Sequence, residues 1–255
     1  MPTSTNVQSR TVLEITGEEC RTFLQRLVTN DVDRLDDGPV YSALLTPQGK
    51  FLVDFMLLKR GDGVLVDVHS GCAKALEVRL GMYRLRSRVE IRVTGLTVSR
   101  GLGDAPTGAV ADPRHPAMGW RAYGDDDCND EDIDWDAIRV DHCIPETLIE
   151  LIPNKTYVLE AGFERLQGVD FKKGCFVGQE VTARMKHKAR LRKGLAKVRI
   201  TGSAPLGTSI RAGRRLIGTL YTQSGGHAIA QVRFDRLGDT ELRAGDAVVE
   251  MEANG

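Results

Sequence analysis

Three runs of branched and aromatic residues, Val40–Leu45, Phe51–Lys59 and Val64–His69, are separated only by the turn segments Thr46-Pro47-Gln48-Gly49 and Arg60-Gly61-Asp62-Gly63. Such runs at such spacing read as a meander of antiparallel strands. A strand-like Val12-Leu13-Glu14-Ile15 precedes them. Between it and the meander, Cys20, Phe23, Leu24, Leu27 and Val28 recur at three and four residues, the apolar face of a helix. Thr16 with Glu19 three residues on forms a capping-box pattern at its start. Ser70 is placed to cap a second helix bearing Ala73, Leu76, Leu80 and Tyr83, and Val89 to Val93 alternates as a closing strand. The order β-α-β-β-β-α-β implies an antiparallel sheet with helices on one face, an α+β layer.

At 255 residues and 28.0 kDa the chain is long for one small domain and short for two large ones, so two or three packed subdomains are expected. The 35 Lys and Arg cancel the 35 Asp and Glu, which argues against a surface that coats nucleic acid as a whole. No run of eighteen apolar residues occurs and the first ten residues lack the apolar core of a secretory signal, so the expectation is a soluble cytoplasmic protein, or one of the mitochondrial matrix if the source is eukaryotic. The cysteines (Cys20, Cys72, Cys128, Cys143, Cys175) are odd in number, scattered and without a C-x-x-C. That pattern speaks against a disulfide framework, a zinc site and a self-contained iron–sulfur ligand set. Cys20 and Cys72 fall on helix faces or caps and read as structural, and Cys128 as incidental.

Further along, residues 101–119 are rich in Gly and Pro, and 125–136 hold eight acids and no base. Asp134 and Asp136 then suit the N-terminus of a helix through Trp135, Ile138 and Val140. The opposite charge lies between Lys172 and Lys193, with eight Lys or Arg against one Glu. From Leu195 onward, short β-rich pieces between glycines read as a small barrel. The divisions expected are 1–93, 94–193 and 194–255.

No H-E-x-x-H, P-loop or G-x-S-x-G is present, and Gly101-Leu102-Gly103 falls short of a dinucleotide loop. The most unusual local sequence is Phe171-Lys172-Lys173-Gly174-Cys175-Phe176-Val177-Gly178-Gln179-Glu180. Two glycines bracket the cysteine and allow a tight turn, while Lys172 and Lys173 would favour a thiolate at Cys175. The ordinary alternative is that Cys175 is a small buried hydrophobe between Phe171 and Phe176 and that the basic tract is a solvated helical face. Asp141, His142 and Cys143 are adjacent and so cannot share a metal through local spacing, and His187 adds conditional charge to the basic tract.

The string K-G-C-F-V-G-Q-E matches the K-G-C-[YF]-x-G-Q-E signature of the YgfZ family of folate-binding proteins. That family is related to the aminomethyltransferase (T-protein) of the glycine cleavage system and to a mitochondrial iron–sulfur assembly factor. Phe23–Val32, Tyr41–Lys50, Ile138–Pro145 and Gly213–Ser224 resemble further elements of the same family. Two departures stand out. Cys143 sits where the family usually has Gly, and Val53-Asp54 replaces the two adjacent acids of the T-protein.

The resemblance implies a GcvT-like α+β fold of two α/β layers with a C-terminal antiparallel β-barrel, tetrahydrofolate as ligand, and Cys175 as the reactive residue. By resemblance Asp141 corresponds to the glutamate that anchors the pterin and Asp54 to an acid near the folate ring. Lys172, Lys173 and Arg184 are candidates for the anionic tail on charge and position. The ordinary alternatives are an exposed strand position for Asp54 and an ion pair with Arg139 for Asp141. The implied function is a folate-binding accessory protein supporting assembly or repair of iron–sulfur clusters in client proteins, with indirect effects on tRNA modification. Its implied partners are folate and iron–sulfur client or assembly proteins, with no direct nucleic acid, membrane or bound metal. The alternative is a tetrahydrofolate-dependent aminomethyltransferase or demethylase, and an RNA-binding module is the third.

Overall fold

The hydrophobic runs of the first ninety residues form a five-stranded antiparallel sheet, in the order β2-β3-β4-β1-β5. Its strands are β1 (Arg10–Thr16), β2 (Val40–Leu45), β3 (Phe51–Arg60), β4 (Gly63–His69) and β5 (Glu90–Val93). Helix α1 (Cys20–Gln25) follows β1, and α2 (Ser70–Arg84) links β4 to β5. The computed structural model describes residues 10–124, 133–187 and 191–252. The chain divides into two units, Met1–Ile133 with Glu164–Gln179 and Asp134–Phe163 with Glu180–Gly255. Residues 94–193, expected as a subdomain, contribute to both.

In the first unit, one face of the sheet carries Leu13, Ile15, Val53, Phe55, Leu57, Val64, Val66 and Val68. These pack with Phe23 and Leu24 of α1 and Leu76 and Leu80 of α2 into one core. Each such side chain, fully buried, contributes roughly 1.5–3 kcal/mol of transfer free energy. The opposite face is buried too, which is why the runs read as continuous rather than alternating. It holds Tyr41, Asp54, Met56 and Asp67. A second sheet, in the order β6-β8-β7, comprises β6 (Thr97–Gly101), β7 (Val110–Ala111) and β8 (Trp120–Gly124). These strands of two to five residues, carrying Arg, Gly and Trp, lie in and beside the stretch that composition marks as loop.

The capping patterns resolve differently from their sequence reading. Thr16 is the last residue of β1, so it cannot cap α1. The Glu19 carboxylate instead accepts from the Arg88 backbone N–H at 2.7 Å, clamping the chain just before β5. His69 rather than Ser70 caps α2, its Nδ1 accepting from Gly71 N–H at 3.1 Å.

In the second unit, α3 (Trp135–Asp141) is capped by the Asp134 carboxylate, which accepts from Ala137 N–H at 2.9 Å. The helix ends in a Schellman motif: Ile144 N–H donates to Arg139 O and Cys143 N–H to Val140 O. Cys143 is thereby held at φ 50°, the left-handed region that glycine occupies without cost. Helix α4 (Gln179–Lys186) precedes a closed barrel, in the order β10-β11-β12-β9-β14-β13. Its strands are β9 (Lys193–Thr201), β10 (Ser209–Ala212), β11 (Arg215–Ser224), β12 (His227–Arg233), β13 (Leu242–Ala244) and β14 (Ala247–Met251). Closure by the β10–β13 pairing removes free edges.

Candidate functional site

Cys175 lies at the exposed crest of a loop in which Lys173 and Phe176, on either side of it, are buried. The loop begins at Asp170, whose N–H donates to Thr29 O. The Asp170 carboxylate then accepts from the backbone N–H groups of Lys172 (2.6 Å) and Lys173 (3.2 Å), an Asx-type turn. Lys173 is buried, and its ammonium donates to the carbonyl oxygens of Gln25 (2.7 Å) and Val28 (2.6 Å) at the end of α1. Gln25 closes α1, so its carbonyl has no partner within the helix, and Val28 lies three residues past the helix end. Burial holds the Lys173 pKa down to about 8, against the opposing pull of Asp31, Asp170 and Asp33. The ammonium also sits over the Phe176 ring, 5.2 Å from its centroid.

Phe176 is buried and Val177 packs on the main core. Gly178 (φ 84°) closes the loop against the Thr46–Gly49 turn. A Cβ there would meet Thr46 O at 2.6 Å, so only glycine fits. Gly174 has open space around it and a Cβ would meet nothing. The alternating inward and outward placement leaves the Cys175 thiol facing solvent, not buried between the two phenylalanines.

The loop is joined to the sheet through Thr29 and Asn30. Thr29 Oγ1 donates to Gly168 O at 2.7 Å, and Asn30 Nδ2 donates to Tyr41 O (2.8 Å) and Gln167 O (2.6 Å). The Thr-Asn-Asp string is thus a structural joint between α1, β2 and the segment that leads to the thiol. Beside it opens a cavity of about 280 Å³, whose lining includes Asn30, Arg34, Asp37, Tyr41, Pro113 and Gln167.

Beneath Tyr41 the second face of the sheet carries a buried polar network. The Tyr41 hydroxyl donates to Asp54 Oδ2 at 2.9 Å, and Asp54 is buried rather than at an exposed strand position. The Arg114 guanidinium lies 5.9 Å from the Tyr41 ring centroid. Arg114 also forks onto Asp112, and Asp112 accepts in turn from Arg121. Arg121 bridges on to Asp67, which also accepts from Arg10 and Tyr123. Burial alone would raise the Asp67 and Asp112 pKa values, yet the facing arginines hold both below the ordinary carboxylate range. Sequence reading missed this network, because Arg121 lies on a short unrecognised strand and Asp67 reads as one polar residue in an apolar run.

The remaining predicted residues stand elsewhere. Lys172 is exposed on the same loop. Asp141, in the second unit, is exposed and accepts from Lys197 Nζ at 2.6 Å, which lowers its pKa. Its partner is therefore Lys197, not Arg139. Arg139 is buried and donates to Glu150 (2.6 Å) and Asp136 (2.7 Å). Glu150 also accepts from Thr222 of β11, which fastens α3 to the barrel. Arg184 is exposed and pairs with Glu180 one turn earlier in α4. None of Asp54, Asp141, Lys172, Lys173 and Arg184 lines the cavity beside Asn30. Cys20 and Cys72 are buried, and Cys128 lies outside the described residues. Among the described residues no three His, Cys, Asp or Glu side chains gather to hold a metal ion, and no described helix is long and apolar enough to cross a membrane.

By sequence, the chain is 28% identical over 285 residues to the iron–sulfur cluster assembly factor IBA57, mitochondrial, of Homo sapiens, covering 94% of this chain and 80% of the relative. It is 31% identical over 219 residues to the IBA57 homolog of Phaeosphaeria nodorum, covering 74% and 53%. The homolog of Pyricularia oryzae is 28% identical over 214 residues, covering 74% and 55%. The chain is similar to iron–sulfur cluster assembly factors. It spans about half the length of the two fungal relatives. Residues 192–254 match the family model of the CAF17 C-terminal beta-barrel domain. The crystal structure of the glycine cleavage system aminomethyltransferase T from Bartonella henselae superposes with a TM-score of 0.73 over 97% of this chain and 84% of that one, at 13% identity. The fold is GcvT-like: mixed α and β layers with a C-terminal barrel.

Proposed function

We propose that this protein is an accessory factor for iron–sulfur cluster assembly in which Cys175 is the residue that meets the cluster or a partner's thiol. The observation that carries the reading is the exposed thiol on a loop anchored by Lys173, Phe176 and Gly178. Exposure gives access, and the anchors hold the sulfur in one place, which limits the ordering entropy lost on engagement. With no ligand set of its own among the described residues, Cys175 acts with ligands from another protein. In such an exchange Cys175 gives its proton to solvent and donates a sulfur lone pair to a cluster iron, while the displaced thiolate takes up a proton. The cluster is cargo. The relatives named as assembly factors support this reading by similarity.

Tetrahydrofolate is the ligand we propose for the first unit. A pterin needs acceptors for its amino and ring N–H groups, a flat wall and a cation for its glutamate tail. The lining of the cavity beside Asn30 includes Asp37, Tyr41 and Arg34, residue types able to supply an acceptor, a flat wall and a cation, and its 280 Å³ fits the bicyclic head with the tail outside. When bound, the folate supplies a reduced pterin able to carry a one-carbon unit. The chain's own part is to orient it: Asp54 fixes the Tyr41 hydroxyl and Arg114 packs on its ring.

The test is a strain lacking this protein. Its iron–sulfur enzymes should lose activity while enzymes without clusters keep theirs, and the wild-type gene should restore them. Unchanged cluster enzymes would remove the assembly reading. Calorimetric titration with tetrahydrofolate tests the second part: wild type binds and Arg34→Ala binds several-fold more weakly, whereas equal affinity places the folate elsewhere.

A further inference from the structure

Helix α2 is apolar on two faces. Cys72, Ala73, Leu76 and Leu80 pack into the core, as an amphipathic helix on a sheet should. The outer face, however, carries Ala75, Val78, Met82 and Leu85 at spacings of three and four, all exposed. Val78 is 52% exposed, Met82 64% and Leu85, at the helix's end, 86%. Leu85 adopts φ 41°, a conformation that costs a non-glycine residue, and there it directs a large apolar side chain to solvent. Isolated surface leucines are ordinary, but a ridge of three large apolar residues along one helix is not.

The rim of this ridge is basic. Arg79 flanks it on one side and Arg86 follows the helix, while Arg84 lies farther round, toward the core side of the helix end. None of these three has a carboxylate partner among the described residues. By contrast Lys74 pairs with Glu77, and Arg88 with Glu18 and Glu19. We infer that this face of α2 docks an amphipathic helix of a partner protein whose apolar seam is flanked by Asp and Glu. The spacing matches helix-in-groove recognition, Met82 is an adaptable contact, and the free arginines supply the charge that selects the partner. A second copy of this chain fits poorly, because an isologous contact would set Arg against Arg. A membrane fits poorly because the ridge is narrow and has no Trp or Phe among its exposed residues. This surface is independent of the Cys175 site and of the proposed cluster role.

A designed helical peptide of about 21 residues with Leu at the seam and Glu at the flanks tests it, beside a twin with Lys at the flanks. By fluorescence anisotropy the Glu peptide binds the full-length protein and the Lys twin does not. Met82→Gln/Leu85→Gln weakens binding at least about tenfold, Arg79→Glu/Arg86→Glu abolishes it, and raising salt from about 50 to 300 mM weakens it. Thermal unfolding of both variants should match wild type, since none of the positions is buried. Failure of the Glu peptide to bind, or binding that persists in both variants, overturns the proposal. So does a wild-type dimer in sedimentation equilibrium that Met82→Gln/Leu85→Gln dissolves, or binding of wild type but not this variant to phosphatidylserine vesicles.

Discussion

The Lys173 ammonium lies 2.6 Å from the Val28 carbonyl oxygen, so the residue two places before the exposed thiol of Cys175 is pinned beneath the end of α1. Lysine is used here as a buried tether rather than as a surface charge. Its long stem spans from the loop to the chain leaving α1, and its donors bond the Gln25 and Val28 carbonyls there.

Lys173→Met removes those donors and leaves buried acceptors unsatisfied, an expected loss of about 2–3 kcal/mol in urea unfolding. Because burial holds the Lys173 pKa down to about 8, the unfolded chain binds more protons than the folded one between about pH 8 and the ordinary lysine value near 10.4. The advantage of wild type over Lys173→Met should therefore grow as pH rises through that window. A difference independent of pH would show that the ammonium is not desolvated in the native state.

Gly178→Ala places a Cβ against Thr46 O and forces an unfavourable φ. A loss of about 2 kcal/mol or more is expected, together with faster alkylation of Cys175 as its loop loosens. Gly174→Ala is the control, with little effect on either measurement.

The Asp67–Arg121–Asp112 network links β4 of the main sheet to β8 of the second. Arg121→Met strands two buried carboxylates and should cost about 3–5 kcal/mol. Both acids have depressed pKa values. Their stabilisation is therefore present above the ordinary carboxylate range and is lost as pH falls below about 4. Asp112→Asn should flatten the acid limb of a stability–pH curve, and an unchanged limb would mean that the network does not govern acid unfolding.

Cys143 occupies the left-handed position of a Schellman motif. Cys143→Gly should raise stability by about 1 kcal/mol and Cys143→Val lower it by about 1–2 kcal/mol, read by thermal unfolding.

Much of the fold was legible because strands buried on both faces make long apolar runs, and β2, β3 and β4 emerged within a residue of their expected bounds. The helix caps were not, since a capping box needs Thr16 outside the sheet, and pairing with Glu90 kept it in β1. Strands β6 to β8 were missed because their stability rests on buried arginines paired across distant segments, a signal that no local window contains. At the site, the K-G-C-F-V-G-Q-E string drew attention to the loop that carries the exposed thiol, yet composition could not tell an inward lysine from an outward one. Lys172 and Lys173 are chemically identical neighbours with opposite fates, decided by where the Gln25 and Val28 carbonyls lie. Arg34, Asp37 and the cavity they line came from the fold alone.

The most direct measurement is the activity of cellular iron–sulfur enzymes in a strain lacking this protein and supplied with Cys175→Ser, at matched expression and with the purified variant shown to melt at the wild-type temperature. The account predicts that cluster enzymes stay at the level of the empty strain, because the serine keeps the anchored loop and loses the sulfur. Full recovery with Cys175→Ser would contradict it, since the loop would then be present for its shape and not for its sulfur.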